Sequence, residues 1–443
     1  MKLRFYNARI LTMEEPFEVI WGEVWVCEDR IAHAGPVDER GLEMKREECV
    51  KWDREIDAQG NLLMPGFKNA HTHSGMTFLR SYADDLPLQS WLNQKVFPME
   101  ALITGEDICL LSKLAIMEYL TSGITANFDM YLTPDTISKA SEDCGFRTVL
   151  CGAVNNFTQS VKELENWYLK YNQPGKLVSF VLGFHAEYTT SREILVGIAD
   201  LAKQFKAPVY THNSETESEV AQCLERNGKT PTAYLDRLGL FEYGGGGFHC
   251  VHMTWEDMEV FRDRGLSVVT NPASNLKLAS GIAPVKSMMD MGINIAIGTD
   301  GPASNNCLDM FREMFLTTAL AKLREQDASA VDAGRVLYMA TVGGARAMGL
   351  TECDVLAPGK KADMIMLDLH QPNMQPIHDI GKNIVYSGSK QNVKMTMVDG
   401  RILYEDGKFY IGQEPEEIYS EANAIVSKTT GSFFKNDRVI FQK

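Results

Sequence analysis

An α/β fold is expected from this sequence: a TIM-type (β/α)8 barrel with a small β-sandwich built from the N- and C-terminal segments. Three observations lead there. Beyond Gly60 the chain alternates short apolar runs with amphipathic stretches, many times over. The apolar runs end in His, Asp or Asn at a regular rate. Strand-like segments without a long helical period occupy only the two flanks.

The first flank reads as strands over Leu3 to Ile10, Glu23 to Cys27 and Arg30 to Gly35, separated by turn signals. The middle region offers strand ends at His71-His73, Asp129, Val154, His185, His212, His249, Asn271 and Asp300, the eight that a closed parallel barrel needs. Helical segments such as Glu106–Thr121, Ser191–Gln204 and Glu217–Arg226 supply the crossovers that parallel strands require. Strands return at Asp363–Leu367, Asn383–Tyr386, Val393–Val398 and Arg401–Tyr404. The expected division is 1–60 with 359–430 as the sandwich, and 61–358 as the barrel.

In such a barrel, side chains at the C-terminal strand ends converge on one mouth. His71 and His73 are one residue apart on a strand, so they point to the same side. His212 closes the short strand Ala207–Thr211 and is the third candidate ligand; the alternative is a histidine buried beneath the sheet. Asp300 ends Ile295-Ala296-Ile297-Gly298-Thr299, as fourth ligand or as base, against a plain helix N-cap. Imidazoles and a carboxylate around one position left open for water describe a catalytic divalent metal site. Glu215, three residues after His212, is the candidate proton shuttle, while Glu217 and Glu219 read as acids of a helix first turn. His249 ends its own strand as a proton-transfer candidate, and His252 reads as structural. The strand Leu182-Gly183-Phe184-His185 carries no lysine to bridge two metals, so one metal is expected and His185 is left to face substrate or core.

Composition narrows the field. A net charge of −15 disfavours nucleic acid and anionic membrane as partners. Nine cysteines, an odd number without any C-x-x-C, indicate neither a disulfide framework nor a thiolate zinc site. Met1-Lys2-Leu3-Arg4-Phe5-Tyr6-Asn7 lacks an apolar signal region, and no run reaches membrane-spanning length. A cytoplasmic enzyme acting on a small molecule and water, as monomer or homo-oligomer, is the expectation.

The sequence resembles the amidohydrolase superfamily, and within it the 5′-methylthioadenosine/S-adenosylhomocysteine deaminases. The resemblance rests on Pro65-Gly66-Phe67-Lys68-Asn69-Ala70-His71-Thr72-His73, Met76–Arg80, Ala83-Asp84-Asp85-Leu86-Pro87-Leu88 and Trp91-Leu92. It continues in Asn271–Leu278, Gly298-Thr299-Asp300-Gly301, Ala303-Ser304-Asn305-Asn306, Pro358–Asp363 and Val398–Arg401. It implies one divalent metal, usually zinc, with iron or manganese as alternatives. His71, His73, His212 and Asp300 would be its ligands, with Glu215 and His249 as the proton-transfer pair. Glu100 matches a ribose-binding acid and His185 a substrate-side histidine. The implied activity is hydrolytic deamination of a purine nucleoside or related aminated heterocycle. Its rivals on the same site are a guanine, pterin or triazine aminohydrolase and a cyclic-amide or chloro-heterocycle hydrolase. Two departures stand out: Glu187 occupies a common proline position, and an arginine of adenosyl-binding relatives falls at Cys151, followed by Gly152.

Overall fold

The structure, a computed structural model, describes residues 1–37 and 51–437, the side chains of 88, 89 and 432–437 excepted. Cys49 and the middle of the first flank lie outside the described residues.

Among the described residues, five strands precede the barrel: β1 (Lys2–Leu11), β2 (Val19–Cys27), β3 (Arg30–Gly35), β4 (Arg54–Asp57) and β5 (Leu62–Pro65). The barrel strands are β6 (Phe67–Thr72), β7 (Ile124–Met130), β8 (Arg147–Cys151), β9 (Val178–Ala186), β10 (Val209–Asn213), β11 (Gly245–His249), β12 (Ser267–Thr270) and β13 (Asn294–Ile297). They pair in sequence order, all in parallel. Every residue of β6, β7, β8, β10, β11 and β12 is buried, as expected for strands covered on one face by helices and filled on the other by the barrel core. The third barrel strand stops at Cys151; the expected end, Val154, makes an isolated bridge to Phe184.

The seam between β13 and β6 closes through side chains. Thr299 N donates to Asn69 Oδ1 (2.8 Å), Asn69 Nδ2 donates to Thr299 Oγ1 (2.7 Å), and Asp300 N donates to the His71 carbonyl (2.9 Å). Gly298 permits this approach: a Cβ there would lie 2.4 Å from Asn271 Oδ1 and 2.8 Å from His71 N.

After the barrel come β14 (Met364–Leu367), β15 (Val393–Val398), β16 (Arg401–Glu405) and β17 (Lys408–Phe409). They join the first flank in one continuous sheet, ordered β17-β16-β15-β14-β5-β1-β2-β3, with β4 also on β1. Leu3, Phe5, Ile10 and Val24 from one flank share a core with Met364 and Met395 from the other. The expected strand at Asn383–Tyr386 is instead part of a helix, Ile380–Tyr386. Asp379 caps it by accepting from Lys382 N, and Ile380 and Ile384, one turn apart, are both buried.

An ion-pair cluster fixes the sheet to the barrel. Arg147 of β8 donates to both oxygens of buried Asp363 (2.6 and 3.0 Å) and to Asp399 Oδ1 (2.9 Å). The fully buried Lys68 ammonium donates to Gly66 O (2.9 Å) and Thr125 Oγ1 (2.8 Å), and its charge helps hold Asp363 ionised. No described helix is long and apolar enough to cross a membrane.

Candidate active site

The ends of β6, β10 and β13 bring the four candidate ligands together, and the end of β11 adds His249. His73 Nε2 lies 3.2 Å and His71 Nε2 3.6 Å from Asp300 Oδ1. Ring centroids are 4.8 Å apart for His71–His73 and 4.9 Å for His71–His212. One donor atom from each of His71, His73 and His212 lies within 4.8 Å of the others, and the same holds for His71, His249 and Asp300. The fully buried His71 ring is stacked on Phe248 (3.9 Å between centroids). Both its nitrogens are buried without a hydrogen-bond partner. Such orphaned atoms fit a metal ligand.

The electrostatics suit the same role. Burial, reinforced by the charge of neighbouring His73, keeps His71 neutral well below the usual histidine range, and burial does the same to His212. Neutral imidazole is the ligating form. Burial works to protonate Asp300, but the hydrogen bond and charge of His73 hold it ionised. Outer contacts orient each group. His212 Nδ1 pairs with the His185 carbonyl (2.8 Å), and His73 Nδ1 with the Met130 carbonyl. Asp300 accepts from Ser274 Oγ (2.5 Å), Ser304 Oγ (2.7 Å) and Gly301 N (2.7 Å). Ser214, His249, Cys250 and Asp300 all have left-handed φ values (51°, 69°, 50° and 57°), a concentration of backbone strain around one site.

Glu215 and His249 face each other, with Oε2 and Nε2 3.9 Å apart. His249 Nδ1 pairs with Asn275 Oδ1 (2.7 Å), which leaves Nε2 without the proton in the neutral ring. Burial pushes the Glu215 carboxyl up against the opposing charge of His249. Glu219 stands, like Glu217, in the first turn of its helix, as its reading as a first-turn acid expects, but it is buried. Its carboxylate turns back to accept Ser214 N (3.0 Å) and Glu215 N (2.7 Å), and burial pushes it up to about 7. His252 pairs with the Ser280 carbonyl (2.7 Å), away from the ligands, and Ser280 Oγ reaches Glu215 Oε1 (3.4 Å).

Glu100 and His185 line the same cleft as His73, His212, Glu215, His249 and Asp300, together with Trp91, Phe97, Tyr131 and Tyr188. Burial raises Glu100 to about 7, against the pull of the Tyr131 hydroxyl. Burial and the His73 charge lower His185 to about 4. Asp129, expected only as a strand end, is buried beside the site, accepts from Ser74 N (3.2 Å) and Asn127 Nδ2 (3.1 Å), and is raised by burial to about 6. Ser274, Asn275 and Ser304 were visible in the sequence as motif residues, with no signal of the partners they orient.

A sequence profile of the amidohydrolase family matches residues 62–403. The chain belongs to the amidohydrolase family. It is similar to a 5-methylthioadenosine/S-adenosylhomocysteine deaminase of Caldanaerobacter subterraneus, 40% identical over 91% of this chain and 93% of the relative. A 5′-deoxyadenosine deaminase of Methanosarcina mazei is 39% identical over 95% of this chain and 98% of the relative. Among solved structures, an adenosine deaminase from Xanthomonas campestris with bound zinc superposes with a TM-score of 0.90, 31% identity, and coverage of 97% and 98%. The chain is a hydrolase acting on carbon–nitrogen bonds.

Motifs of this amidohydrolase that are distant in sequence meet at the cleft rim. Lys277 donates to Asp84 Oδ1 and to Asn306 Oδ1, and Asn306 Nδ2 donates to Asp84 Oδ2 (3.0 Å), clasping two loops to the end of the helix Pro272–Lys277. Glu187 is buried and accepts from Arg226 Nη2 (2.5 Å) and Asn227 Nδ2 (2.8 Å), so it ties the turn carrying Tyr188 to the helix Glu217–Asn227. Cys151 is fully buried in the barrel core with Phe128 and Tyr210, away from the cleft. At Gly152 a Cβ would meet Leu164 Cδ1 at 2.2 Å and the Gly183 carbonyl at 2.7 Å. Neither position can present a long side chain to the cleft in this backbone.

Proposed function

We propose that this amidohydrolase hydrolytically deaminates adenosine-type nucleosides, replacing the 6-amino group of the purine by oxygen and releasing ammonia. The observation that carries this reading is the meeting of His71, His73, His212 and Asp300 with the facing pair Glu215 and His249 in one cleft. The relatives' names narrow the substrate to a purine nucleoside.

His71, His73, His212 and Asp300 would hold one divalent metal, with zinc the best candidate for three imidazoles and a carboxylate. When bound, such an ion acts as a Lewis acid and makes water a nucleophile at neutral pH. The chain's own groups do the rest. His249 accepts a hydrogen bond at Nε2 and orients the water, its ring fixed by Asn275. Glu215, whose carboxyl burial pushes up, delivers its proton to N1 of the purine, so that C6 accepts the water oxygen. Asp300 takes the water's proton. The tetrahedral carbon then expels the amino group, which leaves as ammonia after taking the proton held by Asp300, while the remaining C6 hydroxyl proton returns to Glu215 as the 6-oxo group forms. Glu100 at the cleft wall accepts from the ribose hydroxyls, and His185 contacts the nucleoside beside it.

Substrate and water are the only partners this reading requires, with homo-oligomerisation compatible with it. A cytoplasmic setting is supported by the lack of any disulfide among the described residues. The test is turnover of adenosine in ¹⁸O-labelled water. Label at C6 of the product is the expected result; ammonia release from guanine, pterin or triazine substrates but from no adenosine would move the assignment to that chemistry.

A further inference from the structure

The cleft has an uneven chemical lining. Its inner end carries the histidines, Glu215 and Asp300, and Glu100 adds a further acid. The remaining wall is mostly apolar or aromatic, with Trp91, Leu92, Phe97, Leu132, Ala153 and Tyr188. Its uncharged polar members are already engaged: Asn155 Nδ2 donates to the Ala153 carbonyl (3.2 Å) and Thr158 Oγ1 (2.8 Å), and Ser304 Oγ donates to Asp300 Oδ2 (2.7 Å). Among the described residues, no lysine or arginine lines it. Lys277, the cation at the rim, is already engaged by Asp84, Asn306 and the Ala303 carbonyl. Nor can the β8 end supply a cation. The Cys151 side chain is sealed in the barrel core, and Gly152 has no room for a side chain.

We infer that this site selects adenosine-type nucleosides whose 5′ substituent is small or apolar, and discriminates against a 5′ tail ending in an amino-acid carboxylate. The inference rests on the deaminase reading above. The physical ground is desolvation. A methyl or alkyl thioether gains by leaving water for an apolar wall. A carboxylate brought against the same wall loses hydration and finds no cation in exchange. Selectivity then comes from what the pocket fails to pair.

The test uses the metal-quantified full-length chain and four substrates: 5′-deoxyadenosine, 5′-methylthioadenosine, 5′-butylthioadenosine and S-adenosylhomocysteine. The butyl thioether matches the length of the amino-acid tail without its charges, so it separates size from charge. Expected are kcat/KM values within about tenfold of one another for the first three, and a loss of about 10²-fold or more for adenosylhomocysteine. Adenosylhomocysteine within tenfold of the butyl thioether would overturn the inference while leaving the deaminase reading intact. An equal loss for the butyl thioether would overturn it too, since length would then be the cause. Silence on all four would overturn the deaminase reading itself, and this inference with it.

Discussion

Asn69 and Thr299 are joined twice, once through each end of the Asn69 amide, at 2.7 and 2.8 Å. The pair replaces the backbone ladder that joins every other pair of neighbouring barrel strands, and it sits two residues before His71 and one before Asp300. The two candidate ligands farthest apart in sequence are therefore set by one side-chain amide. Asn69→Ala removes both bonds and leaves Thr299 N unpaired in the core. Expected is a loss of about 2–4 kcal/mol in urea unfolding, with reduced metal content in the folded protein. Wild-type stability together with full metal content would show that the seam closes without Asn69.

Glu215→Gln keeps the shape of the side chain and removes its transferable proton. Turnover should fall by about 10²–10⁴-fold with metal content unchanged. Retained activity would take Glu215 out of the mechanism.

Glu219 acts on chemistry only through the two amides it holds, Ser214 N and Glu215 N. Glu219→Gln turns one acceptor into a donor facing an N–H group. A decrease of about 10- to 10²-fold in kcat with little change in KM is expected, because Glu215 loses its placement. Equal change in kcat and thermal midpoint, with all residual activity explained by the folded fraction, would reduce Glu219 to a stabilising group.

Arg147→Met leaves Asp363 buried without its main partner. The expected cost is about 3–5 kcal/mol of stability, with kcat/KM of the remaining folded protein unchanged, since the cluster lies between barrel and terminal sheet, away from the cleft. An unaltered unfolding midpoint would mean that Lys68 alone suffices for Asp363.

Glu313 is fully buried, and burial raises its carboxyl from 4.5 to about 8 while Ala273 N and Asn305 Nδ2 donate to it. In that window the folded chain holds a proton that the unfolded chain has released. Its contribution to stability is therefore complete below about pH 4.5 and is lost as pH rises through about 8. Glu313→Gln should flatten the fall of unfolding free energy over this range; an unchanged pH profile would contradict the assignment.

Legibility in the sequence followed physical range. The barrel strands are buried on both faces, so they read as apolar runs, and the mouth residues fall at their ends; His71, His73, His212, His249 and Asp300 all gather in the structure. Glu219 escaped because an acid after Thr216 satisfies a helix start equally well whether it points to solvent or folds back onto Glu215. Asn383–Tyr386 reads as a strand because Ile384, Val385 and Tyr386 favour strands, whereas the Asp379 cap decides the helix Ile380–Tyr386. Cys151 could be flagged as a missing cation, but only the packing of Gly152 against Leu164 and Gly183 shows that the next position cannot carry it either.

Ammonia release from 5′-methylthioadenosine, measured in parallel on metal-quantified wild-type protein and Glu215→Gln, tests the proposed chemistry most directly. Stoichiometric ammonia and a 6-oxo nucleoside from the wild type, lost on chelation, restored by zinc and nearly absent in the variant, is the expected result. Metal-loaded wild-type protein that releases no ammonia from any adenosine-type nucleoside would contradict it.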